Sequence, residues 1–202
     1  AFGFGTPNRV GEYGGRALYI SEGKRLSSLS LTVVGSFSQL LITLFFGSLG
    51  IFIIQTGITG WSAAAHAGIW ITTVACACLY FRLGWTVSIT RKLGIPAKYL
   101  HHLMMLKHVN VTVLLRVLML SAVRYLIFLC QYILLLDVMQ VYTGWWNAFW
   151  LISILYLILA LVPTVALLEL GIRGKAGILL FQTVSANTVG MYAAATGIWV
   201  VN

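Results

Sequence analysis

Apolar residues run along this chain in long blocks separated by short polar stretches. The blocks fall at 31–54, 64–81, 111–136, 148–168 and 178–201. A helix needs about 20 mostly apolar residues to cross the hydrocarbon core of a bilayer, and each block meets or approaches that length. None shows the strict alternation of a half-buried strand, and none has the wide polar face of a helix packed on a soluble core. The pattern predicts an all-α protein: a polytopic membrane helix bundle of about five transmembrane helices, forming a single transmembrane domain over 1–202. Residues 1–30 are too polar and glycine-rich for a plain span, so a broken or re-entrant segment is expected there. The stretch 82–109 reads as a loop carrying an interfacial amphipathic helix, centred on Ala97-Lys98-Tyr99-Leu100-His101-His102 and the residues that follow.

Charge placement orients the bundle. Lys24 and Arg25 precede the first block. Arg82, Arg91, Lys92, Lys98 and Lys107 lie between the second and third, and Arg173 and Lys175 between the fourth and fifth. The alternate connections, 55–62 and 137–146, contain no Lys or Arg. Basic loops stay cytoplasmic, so the three basic regions mark one side. Trp61, Trp85, Trp145, Trp146 and Trp150 sit near block ends, at the depth amphipathic rings prefer.

Composition agrees: 60% of residues are hydrophobic and only 8% charged, too few charges to cover a soluble domain of 202 residues. The net charge of +9 then serves topology and contact with anionic headgroups rather than nucleic acid, for which no binding motif is present. Cys76, Cys78 and Cys130 lie inside apolar blocks and read as small buried hydrophobes. His101 and His108 share a helix face, but no carboxylate or thiolate accompanies them, so no metal and no cofactor is expected. The acids are Glu12, Glu22, Asp137 and Glu169, with no nucleophile–base arrangement among them. An enzyme is not expected.

Polar groups inside apolar blocks are costly, which makes them functional candidates. Arg116, Arg124 and Gln131 share one face of the third block, and the expectation is that this stripe turns toward the bundle interior. In the first block Thr32, Ser36, Gln39, Thr43, Gly47 and Gly50 share a face, readable either as a close helix-packing surface or as the wall of a polar path. Two segments also resemble each other, Pro7 to Arg16 and Pro163 to Arg173. Each has a proline followed by Glu-x-Gly-x-Arg, as Glu12/Arg16 and Glu169/Arg173. Glu and Arg four apart on a helix can pair. Paired Gly/Pro-interrupted segments point to a transport site, as a parallel repeat if they are not coincidence.

The runs Thr6-Pro7-Asn8-Arg9-Val10-Gly11-Glu12-Tyr13-Gly14-Gly15-Arg16, Gly35-Ser36-Phe37-Ser38-Gln39, Ser121-Ala122-Val123-Arg124-Tyr125-Leu126 with Gln131, and Glu169-Leu170-Gly171-Ile172-Arg173-Gly174 together resemble the lysylphosphatidylglycerol synthase transmembrane (flippase-like) family. The resemblance implies a multi-pass protein of the bacterial inner membrane that moves a phospholipid or lipid-linked anion between leaflets. The soluble synthase domain is absent from this chain, as are helices that relatives carry before the first motif, so it reads as part of a longer protein. On this expectation Arg124 and Arg116 attract the headgroup phosphate, Glu12 with Arg16 and Glu169 with Arg173 form polar gates, and Gln39 and Gln131 line the path. The partners are membrane lipids. The alternative is a non-catalytic structural subunit of a larger membrane complex, with other membrane subunits as partners.

Overall fold

The computed structural model describes residues 22–54, 63–82, 111–162 and 166–201. Glu12, Arg16, the rest of 1–21 and the loop 83–110 with its histidines lie outside the described residues. Within them the chain is all-α and forms a bundle of six helices: α1 (Glu22–Ile53), α2 (Ala63–Phe81), α3 (Val111–Val138), α4 (Trp145–Leu161), α5 (Ala166–Phe181) and α6 (Thr188–Val201).

Helix limits differ from the apolar blocks in three places, each for a local reason. Residues 22–30, expected to belong to a broken segment, are a continuous part of α1. Lys, Arg, Ser and Leu are all tolerated in a helix, so α1 runs on past the end of its apolar stretch. The block 148–168 is interrupted after Leu161, where Val162 is extended (φ −98°, ψ 105°). Val162 precedes Pro163, whose ring disfavours helical backbone in the residue before it. The block 178–201 is not one helix. Ser185 N–H returns to the Phe181 carbonyl, closing α5, and α6 starts afresh at Thr188. Asn187 caps that start by accepting the Gly190 N–H at 2.9 Å, the N-cap role Asn performs well. As a result Arg173 and Lys175, expected in a basic loop, are inside α5.

Two stretches are long and apolar enough to cross a membrane, Thr32–Ile53 in α1 and Val111–Val138 in α3. α1 is the hub, packing most extensively on α4, then on α3 and α2. α5 pairs with α6, and the pair rests on α4 and α3. α1 and α3 run parallel, with Val34 and Leu41 near Leu114 and Phe46 stacked on Tyr125, whereas α1 and α4, and α3 and α6, run in opposite directions. Gly47 and Gly50 of α1 meet Leu157 and Trp150 of α4 in reversed order, as do Gly190 and Gly197 of α6 with Val141 and Leu135. The centre is filled by Leu129 and Tyr132 of α3, Ile152 and Leu155 of α4, and Phe181 of α5, all fully buried.

α2 is tied in by a relay. The Ser38 hydroxyl donates to Tyr80 Oη (2.7 Å), and the Tyr80 hydroxyl donates to the Leu114 carbonyl (2.8 Å). The Val34 carbonyl, 2.8 Å from Ser38 Oγ, is the alternative acceptor for the single Ser38 proton. Three helices thus share one buried polar chain.

Candidate functional site

α5 places its charges by spacing alone. Glu169 and Arg173 are one turn apart on the same face, and Arg173 Nη2 donates to Glu169 Oε1 at 2.7 Å. That face points into the bundle: Arg173 is only 8% exposed. Glycines let the helix sit close. A Cβ at Gly174 would lie 2.5 Å from the Tyr192 ring of α6, and one at Gly177 would lie 3.7 Å from Tyr132 Oη of α3. α5 thus packs closely on its neighbours, and the Arg173 side chain is buried within the bundle.

The pair leaves Arg173 under-used. Its Nε and Nη1 are buried and have no hydrogen-bond partner among the described residues, nor does the hydroxyl of fully buried Tyr132. Guanidinium has five N–H donors in a rigid fork; the three on Nε and Nη1 remain open. The Tyr132 hydroxyl faces the same helix one turn further on, at Gly177, and the Tyr156 ring meets that of Tyr132. Around them runs an aromatic ladder. Phe46 stacks on Tyr125 (5.3 Å between centroids), Tyr125 meets Tyr156 edge-on (5.8 Å), Tyr156 meets Tyr132 (6.4 Å), and Tyr132 stacks on Phe181 (6.2 Å). Such walls are rigid and keep the local dielectric low, which raises the cost of any donor left open. What the site offers chemically is an open fork of charge-assisted donors with a tyrosine hydroxyl in the same core, suited to the oxygens of a phosphate or carboxylate.

The other candidates are placed differently. Arg116 and Arg124 do not turn inward: both are exposed on the outer face of α3, and Arg124 lies over the Phe128 ring at 5.2 Å. The reason is that the opposite face of α3, carrying Leu114, Ser121, Tyr125, Leu129, Tyr132 and Leu136, takes the core. Gln131 lies between the two faces, partly buried, with Oε1 enclosed and unpartnered. Gln39 is half-buried on α1, where its carbonyl accepts the Thr43 hydroxyl. The small-residue face of α1 divides. Gly47 and Gly50 pack against α4, while Ser36 is exposed. Among the described candidates Glu169 and Arg173 are joined side chain to side chain, while the Ser36 and Thr43 hydroxyls donate to backbone carbonyls one turn back on their own helix. Tyr125, Tyr132 and Tyr156 were not foreseen. The signal available was the seven-residue spacing of Tyr125 and Tyr132 on the face of α3 opposite its arginines.

Fold and site together define a class, a helical bundle with an interior ion pair whose cation is only partly satisfied. No protein-family model, curated protein or solved structure matches the chain.

Proposed function

We propose that this chain is a polytopic protein of the bacterial inner membrane, flippase-like as its motifs suggest, that takes the anionic headgroup of a phospholipid or lipid-linked anion into the bundle at Arg173 and passes it between leaflets. The observation that carries the reading is the buried Arg173 fork, whose Nε and Nη1 have no partner among the described residues, in a core that also holds an unpartnered Tyr132 hydroxyl. An ion so placed is costly unless something completes its shell, and a phosphodiester supplies oxygens of the right charge and spacing. The membrane setting is supported by the outer surface. Met119, Leu120, Val123, Ile127 and Leu134 of α3 are all exposed, which suits contact with acyl chains.

On this reading the anion is held at α5 rather than at the α3 arginines, and the test separates the two. In proteoliposomes carrying a fluorescent anionic lipid, Arg173→Gln is expected to reduce headgroup transfer at least ten-fold, and Arg173→Lys nearly as much, because a point charge does not replace a fork. Arg124→Gln is expected to transfer at the wild-type rate. Wild-type transfer by a correctly folded Arg173→Gln protein removes the proposal.

One observation favours the structural-subunit alternative. Arg124 is exposed near the middle of α3, about 20 Å from either end at 1.5 Å per residue, too far for its side chain to reach either headgroup layer. A partner helix bearing a carboxylate would offset that cost. Isolation in a stoichiometric complex that Arg124→Gln dissolves, with no lipid transfer by the chain alone, would establish that reading instead.

A further inference from the structure

A second polar feature lies at the end of the bundle where α3 turns into α4. Here the chain folds around an open cleft of about 310 Å³ lined by Leu136, Asp137, Tyr142, Thr143 and Trp145, among others. A volume near 300 Å³ is at the small end of ligand sites and suits a compact headgroup or free amine.

Asp137 is in the last turn of α3 (Val111–Val138). The carbonyls at that end already carry partial negative charge, so a carboxylate there is electrostatically unfavourable and a cation is favoured. No ion pair offsets it among the described residues, and no Lys or Arg occurs anywhere in 137–146. In a chain of net charge +9, this is a locally negative spot. Beside it Tyr142 is 72% and Trp145 67% exposed. Neither ring is consumed by the core, and the face of an aromatic ring attracts a cation, Trp most strongly.

We propose that this cleft binds an organic ammonium group, primary or quaternary. Asp137 and the α3 C-terminus supply the negative potential, and Tyr142 and Trp145 supply aromatic faces. A weakly hydrated alkylammonium uses both parts, charge on the carboxylate side and carbon on the rings. A small, strongly hydrated ion such as sodium gains little from the rings. The group can come from a free amine or from the headgroup of a zwitterionic lipid. The proposal does not depend on Arg173 or on transfer between leaflets.

The test is equilibrium binding of radiolabelled choline to the purified full chain in an uncharged maltoside detergent. Saturable binding is expected, displaced by tetramethylammonium chloride but not by sodium chloride at equal ionic strength. Asp137→Asn is expected to weaken it at least ten-fold and Trp145→Leu several-fold, with unchanged helical circular dichroism. Should Asp137→Asn fail to fold, Trp145→Leu and Tyr142→Leu carry the test, because those rings are outside the core. Repetition in nanodiscs identifies the source. Loss of choline binding in phosphatidylcholine relative to phosphatidylglycerol assigns the cleft to a lipid headgroup, and equal binding in both assigns it to a free amine. Absence of saturable binding, equal displacement by sodium, or wild-type binding by Asp137→Asn overturns the proposal.

Discussion

Gln140 takes the left-handed backbone (φ 56°) that ends α3. The Val141 N–H reaches back to the Leu136 carbonyl and the Gln140 N–H to that of Asp137, both at 2.9 Å. This is the paired bonding of a Schellman end, at which glycine is the usual left-handed residue. A side chain in that conformation costs about 1 kcal/mol or more, partly offset by the extra freedom glycine has when unfolded, so Gln140→Gly is expected to stabilise the chain by about 0.5 kcal/mol. A thermal melt in detergent should show a small rise in Tm; a fall would mean that the Gln140 side chain makes a compensating contact. The same scale shows what the sequence could disclose about the site. Glu169 and Arg173 were legible because an i, i+4 spacing fixes its own geometry whatever surrounds it. The direction of Arg124 was not, because α3 is apolar on every other face and nothing local selects the side that packs. That choice belongs to Tyr125, Leu129 and Tyr132, which fit the partners on α1, α4 and α5, and fit is a property of several helices at once.

At the scale of the helix, α1 shows how small residues set a contact. When helices already sit in lipid, burial of apolar side chains gives little drive toward one another, and close packing carries more of the association. A Cβ at Gly47 would come within 2.5 Å of Leu157 Cβ, an atom fixed by the α4 backbone that no rotamer change can move. Around Gly35, on the same helix, nothing lies within 4 Å of such a Cβ. One substitution therefore has opposite expected signs on one element. Gly47→Ala should destabilise by about 1–3 kcal/mol through overpacking, whereas Gly35→Ala should be neutral or stabilise by up to about 1 kcal/mol through helix propensity. Parallel melts of the two proteins check this, and equal losses would mean that α1 does not pack on α4 through Gly47. Four of the six helices were readable from the apolar blocks 31–54, 64–81, 111–136 and 148–168; the split of 178–201, which makes α5 a separate helix over the expected basic connection, was not. The turn at 182–187 had a signal in Gln182, Thr183, Ser185 and Asn187, a polar cluster inside the block, and the Asn187 amide also donates to the Met139 carbonyl at 3.0 Å.

For the whole molecule, that Asn187 contact brings the α3–α4 and α5–α6 turns to one end of the bundle, and neither 137–146 nor 182–187 contains a Lys or Arg. The placement of Arg173 and Lys175 inside α5 removes one of the three basic regions from the orientation argument. A new connection free of positive charge on the opposite side replaces it. Six alternating helices return the chain to the side on which α1 began, where Lys24 and Arg25 belong to its first turn. Orientation by basic residues then predicts that both uncharged turns face away from the cytoplasm. In a version with the native cysteines replaced by alanine, Tyr142→Cys and Ala186→Cys, both exposed, are expected to react with a membrane-impermeant maleimide added to intact spheroplasts. Leu161→Cys, exposed at the far end of α4, is expected to react only after permeabilisation. The reverse pattern would invert the bundle without disturbing its fold. Reaction at all three positions from one side would instead mean that α4 does not cross the bilayer, and the translocation reading would then have no membrane to act across.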